Sequence, residues 1–199
     1  LYGRKLYKDG DWNTICLPFN LTIAGSVLDC ATAKTLTNAT MTGTTVEFDF
    51  GEAVETLQAG VPYIIKWASG ENIVNPVFTD VTINKSTAGQ TISKADGNVK
   101  FIGYYAPIDI DETDEDIFYM TEDNTLMCTG TDRTLKAFRA YFQLSEAATS
   151  REFVLNFGDE ATGINAPTIS VDNDAWYTID GRKLDKKPVT KGLYIHNGK

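Results

Sequence analysis

Strict alternation of apolar and polar residues recurs along this chain, and no sustained helical periodicity competes with it. Val46, Phe48 and Phe50 alternate with Thr45, Glu47 and Asp49, the period-two pattern of a strand with one buried and one wet face. Val77, Thr79, Val81 and Ile83 alternate with Phe78, Asp80, Thr82 and Asn84, and Phe153, Leu155 and Phe157 with Glu152, Val154 and Asn156. Lys136 to Leu144 reads as a strand with Phe138, Ala140, Phe142 and Leu144 on its inner face. Leu1 to Lys8 also reads as a strand, and only Ser26 to Ala33 as a helical turn or two.

Turn chemistry punctuates these runs. Asp96-Gly97-Asn98 supplies positive φ before a strand over Val99 to Tyr105, and Glu122-Asp123-Asn124 separates Ile117 to Thr121 from Leu126 to Thr129. Gly43 does the same before Val46, and Pro62, which cannot donate to a ladder, must open a strand or lie on an edge. The 25 threonines favour strands, because branching at Cβ suits a pleated surface. The fold expected is all-β: an antiparallel β-sandwich of about ten strands, or else a barrel, with a small C-terminal hairpin module. The sandwich should occupy residues 1–158. Residues 159–175, rich in Asp, Asn, Gly and Pro, read as a linker, and 176–199 as a hairpin too small to be stable alone.

Charge limits the partners. The net charge of -9 divides into -14 over residues 1–181 and +5 over 182–199, so the acidic body repels phosphate backbones and nucleic acid is a poor partner. No run of apolar residues is long enough for a membrane-spanning helix. Cys16, Cys30 and Cys128 are odd in number and lack metal-ligand spacing, so they read as buried apolar thiols. With no initiator Met and a strand-like start, the chain reads as a processed or excised fragment.

Candidate chemistry is sparse. His196, the single histidine, stands near the end of the chain and can build neither a triad nor a two-His metal site. Two carboxylates across a cleft, about 5 to 9.5 Å apart as in glycoside hydrolysis, remain the one enzymatic route, but no motif singles out a pair. The acidic run from Asp109 to Asp116 offers Asp109, Asp111 and Asp114 to Ca²⁺; it lacks the glycine and helices of an EF-hand, and a solvated loop is the plainer reading. Trp67, Tyr104, Tyr105, Tyr119 and Tyr141 are the candidates for a sugar-stacking platform, although adjacent Tyr104 and Tyr105 must face opposite ways. Trp12 and Trp176, beside turns, serve equally well as packing plugs. Asn20-Leu21-Thr22, Asn38-Ala39-Thr40 and Asn84-Lys85-Ser86 match the glycosylation pattern, which chance also produces in a Thr-rich chain.

Tyr177-Thr178-Ile179-Asp180-Gly181-Arg182-Lys183-Leu184, followed by Lys191-Gly192-Leu193-Tyr194-Ile195, resembles the C-terminal sorting domain of Bacteroidetes secreted proteins. In that family an aromatic strand, a D/S-G-R/K turn and a K-G-x-Y strand mark a protein for the type IX secretion machinery. Here Asp180, Gly181, Arg182, Lys191, Gly192 and Tyr194 match the pattern, while its final basic and apolar strand is missing. The stretches Trp12 to Phe19, Leu57 to Trp67 and Phe101 to Tyr105 resemble large surface proteins of the same bacteria. That resemblance implies an extracytoplasmic address and a β-rich architecture without assigning an activity. The function expected is a non-catalytic binding or adhesion module for a glycan or host-surface protein. An accessory domain of a larger secreted hydrolase is the alternative, and a two-carboxylate glycosidase a third.

Overall fold

The computed structural model describes residues 1–83, 87–128, 131–145 and 152–158 in full, and beyond them the backbone of three short strands. In chain order the strands are β1 Lys5–Leu6, β2 Asn13–Cys16, β3 Leu21–Thr22, β4 Thr32–Lys34, β5 Leu36–Thr42, β6 Thr45–Phe50 and β7 Thr56–Leu57. They continue as β8 Pro62–Lys66, β9 Ile73–Val74, β10 Thr91–Lys94, β11 Val99–Tyr104, β12 Ile108–Ile110, β13 Ile117–Met120 and β14 Leu126–Cys128. Last come β15 Arg133–Leu135, β16 Arg139–Leu144, β17 Glu152–Asn156, β18 Trp176–Thr178, β19 Lys183–Leu184 and β20 Tyr194–His196. Among the described residues there is no α-helix, and Ala95–Gly97 forms one 3-10 turn.

The alternating segments make the sandwich. β6 lies between antiparallel β5 and parallel β17, and faces a five-stranded antiparallel sheet ordered β10-β11-β16-β13-β14. Val46, Phe48, Phe50, Phe153 and Leu155 from the first sheet share one core with Val99, Phe101, Phe118, Phe142 and Leu144 from the second. Phe48 meets Phe142 edge-on at 5.4 Å and Phe50 meets Phe101 at 6.2 Å, while Phe101 and Phe142 stack at 4.6 Å, all within the range of favourable ring pairing.

A second core explains the run that does not alternate. β8 is the middle strand of the sheet β2-β8-β4, with Ile64 in the sandwich core and Tyr63 and Ile65 in a second core with Ile15, Leu17 and Leu28. A strand buried on both faces reads as a continuous apolar run. Pro62 opens that strand opposite Cys16, where its missing donor is tolerated. Gly60, at φ +85°, takes the Cys16 thiol on its carbonyl at 3.2 Å and the Gln90 N–H at 2.8 Å. The Gly103 N–H donates to the Gln90 carbonyl at 2.9 Å, so Trp12 to Phe19, Leu57 to Trp67 and Phe101 to Tyr105 meet in one place.

Several expectations need correction. Residues 77–83 form no strand: Asn75 and Asp80 have φ of +51° and +56°, which breaks the extended path. Phe78 and Val81 pack on the second core, while Val77 and Ile83 are 74% and 59% exposed. β16 begins at Arg139 because Phe138, at φ +58°, turns the chain before it. Strand geometry in Leu1 to Lys8 is confined to Lys5–Leu6, and Ser26 to Ala33 holds turns that lead into β4. Of the cysteines only Cys16 is buried; Cys30 is exposed in a turn at φ +63°, and Cys128 is half-buried on edge strand β14.

The chain divides into two compact units, Leu1–Pro167 and Thr168–Lys199. In the second, β18 lies between β19 and β20, both antiparallel to it, so the block is a three-stranded sheet rather than a hairpin. The linker at 159–175 and Asp180, Gly181, Arg182, Lys191 and Gly192 lie outside the described residues. So do Asn84, Lys85 and Ser86, and for Tyr194 and His196 only the strand backbone is described.

Candidate functional site

The aromatic candidates do not form a platform. Trp67 is 2% exposed within the second core, its indole N–H donating to the Asp29 carbonyl at 2.9 Å. Tyr104 is buried as well, and Tyr105, half-buried, donates its hydroxyl to the Leu17 carbonyl at 3.2 Å. A sugar cannot stack on rings whose faces already meet protein. Tyr119 is half-buried beneath Arg133, whose guanidinium lies 4.5 Å over its ring and donates to its hydroxyl at 2.6 Å. Tyr141 packs against Tyr104 at 5.7 Å. Trp12 is a packing plug, 5.1 Å from Phe157 with the Lys66 ammonium 4.7 Å over its ring.

The acidic candidates also remain apart. Asp109 accepts the Thr134 hydroxyl at 2.7 Å across the β12–β15 pair, and Asp114 accepts the Asp111 N–H at 2.9 Å within its own turn. Among the described residues no three His, Cys, Asp or Glu side chains come together to hold a metal. The Asp109 carboxylate thus serves the neighbouring strand and that of Asp114 its own turn, and among the described residues the structure does not gather Asp109, Asp111 and Asp114 into a metal-holding group.

Convergence occurs elsewhere, on the outer face of the five-stranded sheet. Tyr104 on β11 and Arg139 on β16 are direct cross-strand partners, which sets their side chains side by side on one face. Arg4, just before β1, is 2% exposed and donates from Nη2 to the Thr14 carbonyl at 2.5 Å. Among the described residues, no hydrogen-bond partner meets its buried Nε and Nη1 or the buried Tyr104 hydroxyl. Beside them opens a cleft of ≈ 100 Å³ lined by Tyr7, Asn13, Thr14 and Arg139, with Asp9, Asp11 and Glu122 also on its walls.

Electrostatics single out this cluster. Burial, and then the nearby Arg139, lower the Arg4 guanidinium from its ordinary 12.5 to about 9; Tyr104 and Tyr7 oppose the shift. Arg139 is lowered too, again first by burial, with Arg133 adding repulsion. Burial pushes Tyr104 up to about 12 against the pull of both arginines. Among the described residues, the charges that shift Arg4 and Arg139 are those of Arg139, Arg133, Tyr104 and Tyr7, none of them a carboxylate.

The walls of the cleft are fixed by hydrogen bonds. The Asn13 amide donates to the Tyr7 carbonyl at 2.9 Å while its oxygen accepts the Tyr7 N–H at 2.9 Å, closing a reciprocal clamp. Asn124 donates to Asp11 at 2.6 Å and accepts the Trp12 N–H at 2.7 Å, and Asp9 accepts the Asp11 N–H at 3.1 Å. Tyr7 remains 43% exposed beside the opening.

Sequence reasoning missed Arg4 and Arg139. Arg4 lies in Leu1 to Lys8, which reads as a strand with nothing to mark a site, and Arg139 occupies an outward position of its strand. A signal was present in the outward set Tyr104, Arg139 and Tyr141, whose side chains are long and amphipathic where the other strands carry Thr, Glu and Asp. Comparison of the chain with protein-family models, with curated proteins and with solved structures returns no match.

Proposed function

We propose that this chain is a non-catalytic binding module of a secreted or cell-surface protein, which captures a small polar ligand or the end of a glycan in the cleft beside Arg139. The observation that carries the reading is a pre-formed cleft whose lining residues Thr14 and Arg139 adjoin Arg4 and Tyr104, which carry buried polar atoms with no hydrogen-bond partner among the described residues. Such groups are costly to bury, and a site that binds needs them where a core does not.

The chemistry of the cluster favours binding over turnover. Arg4 at about 9 and Tyr104 at about 12 both hold their protons at neutral pH, so neither shuttles one there. No Asp or Glu among the described residues is buried, whereas a carboxylic acid serving glycoside hydrolysis is one whose pKa its surroundings raise. Export through residues 176–199 belongs to the same proposal and rests on the resemblance to the sorting domain.

Amide chemical-shift mapping with a panel of monosaccharides and small organic acids tests the reading. Saturable shifts are expected at Tyr7 to Thr14, Met120 to Glu122 and Arg139. A panel that leaves these amides unmoved overturns it.

A further inference from the structure

We propose that the loop Tyr7 to Asp11 is the movable rim of this cleft and that Asn124 is its latch, so that the side chain of one turn residue decides whether the site stands assembled. The inference rests on the binding-module reading and names what regulates the site.

The cleft is lined from two stretches far apart in sequence, Tyr7 to Thr14 and Met120 to Glu122, together with Arg139. Among the described residues, the hydrogen bonds that tie the first stretch to the turn following the second both belong to the Asn124 side chain. Its amide donates to Asp11 Oδ1 at 2.6 Å and its oxygen accepts the Trp12 N–H at 2.7 Å. The latch stands on a firm base. The Thr121 N–H donates to the Thr125 carbonyl at 2.9 Å, the two threonine hydroxyls meet at 2.7 Å, and the Asn124 N–H donates to the Thr121 carbonyl at 3.2 Å.

The rim is held differently. Between buried Leu6 and buried Trp12, no side chain of the loop belongs to an apolar core. Its other ties are polar: Tyr7 to Asn13, the Lys8 N–H to Asn72 at 2.9 Å, the Asp11 N–H to Asp9 at 3.1 Å, and the Lys8 ammonium 5.5 Å over the Trp67 ring. A segment held by polar ties without core side chains opens at lower free energy than the strands it joins.

Turn geometry accounts for the residue type at 124 but not for its reach. Asn124 has φ +55°, a conformation that asparagine tolerates and glycine adopts freely. Glycine would therefore serve the turn as well. The side-chain donor and acceptor are spent instead on Asp11 and Trp12, two residues of the cleft lining.

Two variants of the full chain separate latch from turn. Asn124→Gly keeps the turn and removes the latch: amide exchange at Trp12 should quicken about five- to tenfold, the worth of one hydrogen bond, and the Asp9, Gly10 and Asp11 amide shifts should move while those of β11 and β16 stay. Asn124→Asp keeps an acceptor for the Trp12 N–H but sets a carboxylate against Asp11, so at neutral pH its loop shifts should also depart from the parent's. Below about pH 5 a proton shared by the two carboxylates remakes the bond, and the parent's loop shifts should return in Asn124→Asp but not in Asn124→Gly. Asp9, Glu122 and Asp123 titrate in both variants, and Lys66 and Arg139 keep their charge in acid, so the difference between the variants reads the latch. Unchanged Trp12 exchange with unmoved loop shifts in Asn124→Gly overturns the inference. So does an acid response that is the same in both variants. Any monosaccharide or small organic acid of the mapping panel that moves the parent's cleft amides should bind Asn124→Gly about fivefold more weakly. Equal binding overturns the latch as a regulator and leaves the binding-module reading standing. A panel that moves nothing in the parent overturns that reading, while exchange and acid response still decide the latch.

Discussion

Arg4 enters the fold between Gly3 and Lys5, yet its side chain ends in the interior with one of its three nitrogens paired. Removing a guanidinium from water without a counter-charge is strongly unfavourable, and apolar residues of similar length often replace buried charges with a gain in stability. Arg4→Met should therefore raise the thermal midpoint of the free protein by roughly 2 to 4 °C for each kcal/mol gained, and calorimetric scanning reads this directly. A fall in the midpoint would mean that the bond to Thr14 outweighs the desolvation. The thiols give a second residue-scale prediction. Cys30 should react with a maleimide within minutes in the folded protein, while Cys16, fully buried and pushed up to about 12 by that burial, should react only on unfolding. Mass spectrometry of the labelled peptides distinguishes the two. Both arginines of the site escaped sequence reading for one reason: local pattern reports which face of a strand a residue occupies, and says nothing about which distant segment later covers that face.

Strands were legible where one face is core and the other water. β6 and β17 follow their alternation residue by residue, because each has the aromatic core on one side and polar residues such as Asp49 and Asn156 on the other. The pattern over 77–83 looked equally good and failed, since Asn75 and Asp80 take left-handed backbone conformations that alternation cannot register. β8 failed to alternate for the opposite reason, being covered on both faces. The paired sheets also identify the substitutions to which the fold is most sensitive. Phe142 is fully buried and touches Phe48, Phe50 and Phe101, so Phe142→Ala should lower unfolding free energy by about 3–5 kcal/mol in urea titration. At the junction of the sandwich with the second core, a Cβ on Gly103 would stand 2.5 Å from the Cys16 sulfur and 3.1 Å from the Gly60 carbonyl. Gly103→Ala should cost about 1–3 kcal/mol, and the double variant Gly103→Ala with Cys16→Ala should recover part of that loss, which a purely backbone effect would not allow.

At the scale of the whole molecule, Leu1–Pro167 contains all three apolar cores among the described residues, and its response to alkali follows from what those cores enclose. Burial raises Cys16 from 9.0 to about 12, Tyr104 and Tyr105 from 10.0 to about 12, and Tyr63 and Tyr141 in the same direction. In the unfolded chain these groups ionise at their ordinary values, so between pH 9 and 12 the unfolded state binds fewer protons than the folded one. Stability must then fall as pH rises through that window. Arg4 and Arg139 act the other way: the folded state releases their protons before the unfolded state does, so both favour folding as pH rises, Arg4 from about 9. Five groups with raised values oppose two with lowered ones, so the net expectation is a urea midpoint that is level from pH 6 to 8.5 and declines from pH 9 toward 12. Cys16→Ala should flatten the first part of the decline, because the thiol has the lowest ordinary value of the five, and Arg4→Met should steepen it by removing one opposing group. A midpoint that stays level to pH 11, or an unchanged slope in both variants, would show that these side chains are more open to water than their packing implies.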